Sequence, residues 1–296
     1  MSRRANAGSA EGSARTELIT AGPAEALAGL LGVPLPDLEN RGIPLLWHWV
    51  YLLDRPAQAD LGPDGHRAQD AVPEPPRPGL RRMFAGGRVQ VRHPLLVGQP
   101  AQRRTSASLV AEKQGRSGPL TFVTVTHEVS QAGRVVISEE QDLVYLEAAR
   151  PGGQGAGDPG ARDLGRGGAL DEPAVGSDSP DALWTLRVDP VVLFRFSALT
   201  YNSHRIHYDA DYTRTVEGYA GLVVHGPLQA IALAQAAHPL LKDSMGPTWF
   251  DYRILAPVVA DAVLVASATR LSSHRVVGAV SDGRARPTAT ATTQWR

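Results

Sequence analysis

Residues Arg195-Phe196-Ser197-Ala198-Leu199-Thr200-Tyr201-Asn202-Ser203-His204-Arg205-Ile206-His207-Tyr208, followed by Val223-Val224-His225-Gly226-Pro227, decide the reading of this 296-residue chain. The first segment gathers an asparagine, two histidines and an arginine within six residues. Histidine titrates near neutral pH, so it can both take and give a proton. Asparagine cannot act as a base, but its amide can hold a water or a carbonyl. The second segment sets Gly226 and Pro227 ahead of a run rich in alanine, leucine and isoleucine, and proline suits the first position of a helix. A helix start leaves backbone N–H groups unpaired and carries partial positive charge. Glycine there lets a carbonyl approach closely, which suits a developing oxyanion. Proton carriers beside such a helix start imply acyl-thioester chemistry.

Outward from these segments, the pattern is α+β. Leu183–Val188 reads as a strand, Leu193–Tyr201 as a short helix, and Pro227–Ala237 as the strongest helix. Thr248–Ile254, Ala262–Arg270, Arg275–Ser281 and Ala289–Trp295 read as strands. The first half repeats this logic: a helix at Ala24–Leu31 ending at Gly32, then strands at Arg88–Val91, Ala107–Lys113, Leu120–Val129 and Gly133–Leu146. A turn is expected at Gln131–Gly133. Each half is expected to be a sheet wrapped around one long helix, the first with a weaker helix. Residues 1–19 are expected to be a disordered tail, 20–149 a first unit, 150–181 a Gly/Pro-rich linker and 182–296 a second, catalytic unit.

Composition excludes several classes. Lysine plus arginine equals aspartate plus glutamate at 30 each, so no basic excess recruits nucleic acid or an anionic membrane. There is no cysteine, which removes disulfides, thiolate metal sites and a cysteine nucleophile. No apolar run approaches the roughly 18–20 residues needed to span a bilayer, and the expected location is the cytoplasm. His204, His207 and His225 together have the makings of a three-histidine zinc site, but their spacing matches no familiar motif and Arg205 sets a cation between two would-be ligands. No metal is therefore expected.

At these residues the chain resembles the MaoC-type hydratases and dehydratases of the hotdog superfamily. It is most similar to the double-hotdog subgroup of mesaconyl-C4-CoA hydratases, itaconyl-CoA hydratases and mitochondrial 3-hydroxyacyl-thioester dehydratases of type 2. The resemblance extends into the first half at Leu61-Gly62-Pro63-Asp64-Gly65-His66, Arg81-Arg82-Met83-Phe84-Ala85-Gly86-Gly87 and Glu140-Gln141-Asp142-Leu143-Val144-Tyr145. It implies a double hotdog, with a substrate-shaping first unit, and reversible hydration of an α,β-unsaturated acyl thioester. The acyl group it suggests is a branched dicarboxylic one. No cofactor is implied, because coenzyme A enters as part of the substrate; an acyl carrier protein is the other possible carrier. The implied assembly is a monomer or homodimer of such chains.

In the wider family the motif is Asp-x-Asn-Pro-x-His. Here His207 falls on its histidine, Asn202 on its aspartate, His204 on its asparagine and Arg205 on its proline. His207 is then expected to be the main acid–base group, Asn202 to orient the water and the Gly226 N–H to stabilise the enolate. His204 or Asp209 would carry a second proton or orient His207. Arg205 is the first candidate for a substrate carboxylate, with Tyr208 and His225 beside it. Arg81, Arg82, Lys113 and Arg116 are candidates for the coenzyme or carrier. The competing readings are a 3-hydroxyacyl-carrier-protein dehydratase, a hotdog thioesterase and a non-catalytic acyl-thioester-binding subunit. The absence of a carboxylate from Gly226–His238 counts against the thioesterase.

Overall fold

A computed structural model describes residues 13–68, 80–115, 118–147, 179–241, 246–283 and 287–296. Its ten strands are β1 (Ser13–Leu18), β2 (Leu80–Val91), β3 (Pro100–Gly115), β4 (Gly118–Gln131), β5 (Arg134–Glu147), β6 (Ala182–Val188), β7 (Thr248–Ile254), β8 (Ala262–Ser272), β9 (Arg275–Ser281) and β10 (Ala289–Trp295). The helices are α1 (Ala21–Leu31), α2 (Pro190–Thr200), α3 (Ala210–Thr215) and α4 (Gly226–Ala237). All ten strands form one antiparallel sheet in the order β1-β3-β4-β5-β2-β7-β10-β9-β8-β6. Read from either edge, the order of each half is the same, so β1 through β5 and β6 through β10 are two copies of one unit. This is the α+β double hotdog.

The copies join where β2 pairs with β7, from Gly86 opposite Arg253 to Val91 opposite Thr248. A register shift between Phe84 and Gly86 bends β2 at that seam. Gly86 has φ 153°, and any Cβ there would collide with the Tyr252 carbonyl oxygen of the neighbouring strand. The seam therefore requires a glycine. The turn at Gln131–Gly133 forms as expected. Ala132 and Gly133 both have positive φ, the conformation that lets a two-residue loop follow the twist of its hairpin.

The second unit's central helix is α4. Leu228 to Leu233 are buried without interruption, as in a helix that is apolar all round and enclosed by protein. It packs against β6 to β10 and against β2. Helix α1 is not its counterpart. It follows β1 as α2 follows β6, and it packs on α2. It ends as the sequence indicates, with Gly32 in the left-handed region and its N–H on the Ala28 carbonyl. Among the described residues between α1 and β2 there is no long helix, only short 3₁₀ turns at Trp47–Val50 and Gln58–Asp60. The expectation of a long central helix in each unit is corrected for the first unit on that ground. Trp47, Val50 and Tyr51 are buried there instead, with Trp49 partly buried beside them.

The expected tail also needs correction. Ser13–Leu18 is an edge strand, held to β3 from Ser13 opposite Thr105 to Leu18 opposite Pro100. Its side chains are half-exposed, so no apolar run marked it; backbone pairing carries it. Most of the expected linker, and Arg116, lie outside the described residues.

Candidate active site

A cavity of about 420 Å³ lies between the two units. The second unit brings to it Asn202, His204, His207 and Gly226; the first brings Asp64, His66, Arg81, Arg82 and Phe84.

The histidine segment takes its shape from the end of α2. That helix starts at Asp189, whose carboxylate accepts the Val192 N–H at 2.9 Å, with Pro190 in the first turn. It stops at Tyr201, which adopts φ 50°, and the Asn202 N–H returns to the Ser197 carbonyl at 2.9 Å. The chain then turns sharply. Asn202 Oδ1 accepts the His204 N–H at 3.0 Å, and Arg205–His207 makes one 3₁₀ turn.

His207 is buried, and its Nδ1 lies 2.7 Å from the Val223 carbonyl oxygen. A carbonyl only accepts, so Nδ1 carries the hydrogen and Nε2 is left with its lone pair. Burial is the main cause that brings its pKa down to about 4; the bond to Val223 opposes this and the charge of His66 adds to it. The ring stacks on His225 at 3.6 Å between centroids and meets His204 edge-on at 5.5 Å. Burial first, then neighbouring charge, also holds His204 and His225 well below the usual histidine range. The cluster is thus kept neutral.

Val223 connects His207 to the start of α4. Its N–H is bound by the Ile206 carbonyl and its own carbonyl by His207, three residues before α4 begins. In the first turn of α4, Leu228 and Gln229 donate to the His225 carbonyl and Pro227 has no N–H. The Gly226 N–H has no acceptor among the described residues. A Cβ at Gly226 would lie 3.0 Å from the Phe84 ring, so any larger residue there would press on Phe84.

Some expected binding residues are placed elsewhere. Arg205 does not line the cavity. Its guanidinium is bound to Asp209 at 2.7 Å, donates to the Pro63 carbonyl at 3.1 Å and lies 4.0 Å over the Tyr212 ring. Asp209 is in turn the cap of α3, accepting the Tyr212 N–H at 2.9 Å, so it carries no proton for the site. Tyr208 points outward, 51% exposed. His225 is fully buried behind His207, bonds Ser197 Oγ through Nε2 at 2.9 Å and does not line the cavity. Among the described residues the donor atoms that converge within 4.8 Å are those of Asp64, His66 and His204, not those of His204, His207 and His225. Arg81 and Arg82 do line the cavity. Arg81 is paired with the buried Glu217 at 2.6 Å. Arg82 is half-buried with no acidic partner among the described residues, and its charge falls on His66 and His204. The Lys113 side chain lies outside the described residues.

Asp64 and His66 belong to the site although no motif spacing marks them. They lie on a loop closed by a Leu61–Arg67 bridge and seated on the histidine segment. The Asp64 carbonyl accepts the Arg205 N–H at 2.9 Å and the Gly65 carbonyl accepts the Ser203 hydroxyl at 2.6 Å. Gly65 has φ 88°, and any Cβ there would collide with the Ser203 carbonyl oxygen. Only their place in a resembling stretch, Leu61–His66, could have pointed to them.

The fold is that of a MaoC-like hotdog protein, and its cavity sets a cluster of buried histidines before a helix start. A family model described as hydroxyacyl-thioester dehydratase type 2 matches residues 46–260. The chain belongs to that family, and it is a hydro-lyase acting on acyl thioesters. It is 44% identical over 229 residues to the mesaconyl-C(4)-CoA hydratase of Chloroflexus aurantiacus, covering 77% of this chain and 74% of that relative. It is 22% identical over 279 residues to the mitochondrial hydroxyacyl-thioester dehydratase type 2 of Schizosaccharomyces pombe, covering 84% and 87%. Among solved structures it shares its fold with a MaoC-like dehydratase from Phytophthora capsici, at TM-score 0.64 and 13% identity, covering 97% and 96%. It likewise shares the fold of HtdX from Mycobacterium tuberculosis, at TM-score 0.61 and 16% identity, covering 96% and 100%. Among the described residues no helix is long and apolar enough to cross a membrane.

Proposed function

We propose that this chain adds water reversibly to a short, branched α,β-unsaturated acyl-CoA bearing a free carboxylate, with mesaconyl-C4-CoA the leading candidate. The observation that carries the reading is the pairing of His207 Nε2, free to accept a proton, with the Gly226 N–H at the start of α4. His207 takes the proton of water while Gly226 holds the thioester oxygen as negative charge develops on it. Asn202 orients the water through its amide nitrogen, its oxygen being bound to His204. The acyl group is inferred from the 44% identical relative and from Arg82, a cation in the cavity without an acidic partner among the described residues. The proposed location is the cytoplasm, and the proposed assembly is a monomer or homodimer, since one chain already contains both units of the site.

The test is loss of enoyl-thioester absorbance with crotonyl-CoA, mesaconyl-C4-CoA and itaconyl-CoA. Hydration with preference for a carboxylate-bearing acyl group supports the reading; release of free thiol instead would point to a thioesterase. Arg82→Met is expected to raise KM for the carboxylate-bearing substrate about 10- to 100-fold, since a hydrogen bond to a charged group contributes roughly 1.5–3 kcal/mol. The rise should be much smaller for crotonyl-CoA. An equal rise for both would assign Arg82 to the coenzyme.

A further inference from the structure

The family's aspartate is Asn202 here, so the site lacks a second proton carrier at that position. The geometry points to a replacement from the other unit. His66 Nδ1 lies 2.9 Å from Asp64 Oδ2, and the Asp64 carboxylate also accepts the His66 N–H at 3.0 Å. A carboxylate accepts, so Nδ1 carries the hydrogen and Nε2 is the free nitrogen. The His66 ring lies 4.0 Å from that of His204, which in turn meets His207. The three imidazoles thus form a row across the boundary between the units, with a charged carboxylate behind one end and a backbone carbonyl behind the other.

We propose that His66, seated on Asp64, is the second proton carrier of this site and handles the proton at Cα, while His207 handles the proton of water. This rests on the hydratase reading above. In hydration, His207 Nε2 takes a proton from water as the oxygen bonds to Cβ. The π pair moves towards Cα and the thioester oxygen beside Gly226. Protonated His66 then delivers its Nε2 proton to Cα. One proton has left His66 and one has arrived on His207, and exchange through solvent resets the pair. In dehydration His66 Nε2 removes the Cα proton, and the His207 imidazolium protonates the departing hydroxyl.

Asp64 is a positioning residue: it fixes the tautomer and supplies the counter-charge of the imidazolium. Burial lowers the basicity of His66, and Arg82 adds to this; Asp64 and Glu217 oppose it. The division of labour follows from these surroundings. Of the two histidines, only His66 has a carboxylate to stabilise its charged form.

The test follows hydration together with deuterium wash-in at Cα of butyryl-CoA in D₂O, a thioester with nothing to eliminate. The proteins are the wild type, His66→Gln, Asp64→Asn and His207→Ala. His66→Gln should lose both activities by about 10²–10⁴-fold. Asp64→Asn should lower both and move the alkaline limb of the hydration profile to lower pH, since the imidazolium loses its counter-charge. His207→Ala should lose hydration and keep the exchange. Hydration and exchange at the wild-type rate in His66→Gln overturns the proposal, and so does loss of exchange in His207→Ala. Should His66→Gln not fold, Asp64→Asn decides on the same readouts. Asp64, His66 and His204 also bring donor atoms within 4.8 Å of one another. Activity abolished by chelation and restored by Zn²⁺ would make them metal ligands and overturn the proton-carrier role. A wild type that neither hydrates nor exchanges sinks the hydratase reading and this proposal with it.

Discussion

His207→Ala is expected to lower kcat for enoyl-thioester hydration by about 10²–10⁴-fold, the range contributed by a positioned acid–base group. KM should change little, because the ring acts on the water more than on the bound thioester. The variant also leaves the Val223 carbonyl without its buried donor, at a cost of roughly 1–3 kcal/mol. Its unfolding midpoint must therefore be measured beside its rate. The pH profile gives a second, independent check. His207 must be neutral to accept a proton, and burial brings its pKa down to about 4. The acid limb of kcat/KM should lie well below the ordinary histidine value of 6.5. A limb at 6.5, or a folded His207→Ala with full turnover, would remove His207 from its role.

Much of this was legible in sequence because the information is local. Helix α4 announces itself by a run rich in Ala, Leu and Ile behind Gly226-Pro227. β7, β9 and β10 have the expected boundaries because alternation and turn residues bracket them. Asn202, His204 and His207 meet in the cavity because a single 3₁₀ turn keeps them close; Gly226, beyond α3, is brought to them by the Val223 N–H on the Ile206 carbonyl. What stayed hidden depends on contacts between residues far apart in the chain. His66 and Asp64 reach the histidine segment through backbone bonds to Arg205 and Ser203, about 140 residues away, and no spacing rule encodes those. Arg205 is a candidate for a substrate carboxylate in sequence because nothing there shows that Asp209 and the Pro63 carbonyl, the latter 142 residues away, occupy its guanidinium. β1 was invisible because an edge strand is held by its backbone, and its polar side chains gave no alternation to read. The first unit's helix was misplaced because a short amphipathic helix after a strand resembles either α2 or α4. Which of these it corresponds to is fixed only by the sheet order.

The largest expected effect on stability lies away from the reacting atoms. Glu139, on β5, is buried and accepts three side-chain donors: His48 Nε2 at 2.9 Å, Trp49 Nε1 at 2.8 Å and Gln141 Nε2 at 2.7 Å. Trp49 in turn packs edge-on against Phe84 and against Tyr252 of the second unit, so the carboxylate helps set the seam between the units. Burial alone would raise the pKa of Glu139, but its bond to His48, the charge of His48 and the remaining donors overcome this and hold it at about 2. Glu139→Gln keeps the volume but removes the negative charge that the three donors face and replaces one accepting oxygen with an NH₂. Breaking such a buried charged contact costs roughly 3–5 kcal/mol, a large share of a domain's net stability. The pH dependence has a definite sign. Glu139 is depressed in the folded state, so its contribution is complete above its ordinary value of 4.5 and is lost as pH falls towards 2. His207, also depressed, contributes above 6.5 and loses that contribution as pH falls through about 4. Wild-type stability should therefore decline in two stages on acidification, and Glu139→Gln should keep the upper stage and shrink the lower one, to which Asp64 also contributes. Guanidinium unfolding midpoints between pH 3 and pH 8 would show this. A variant as stable as wild type at pH 7, with both stages intact, would mean that the three donors find other partners and that the seam does not depend on this carboxylate.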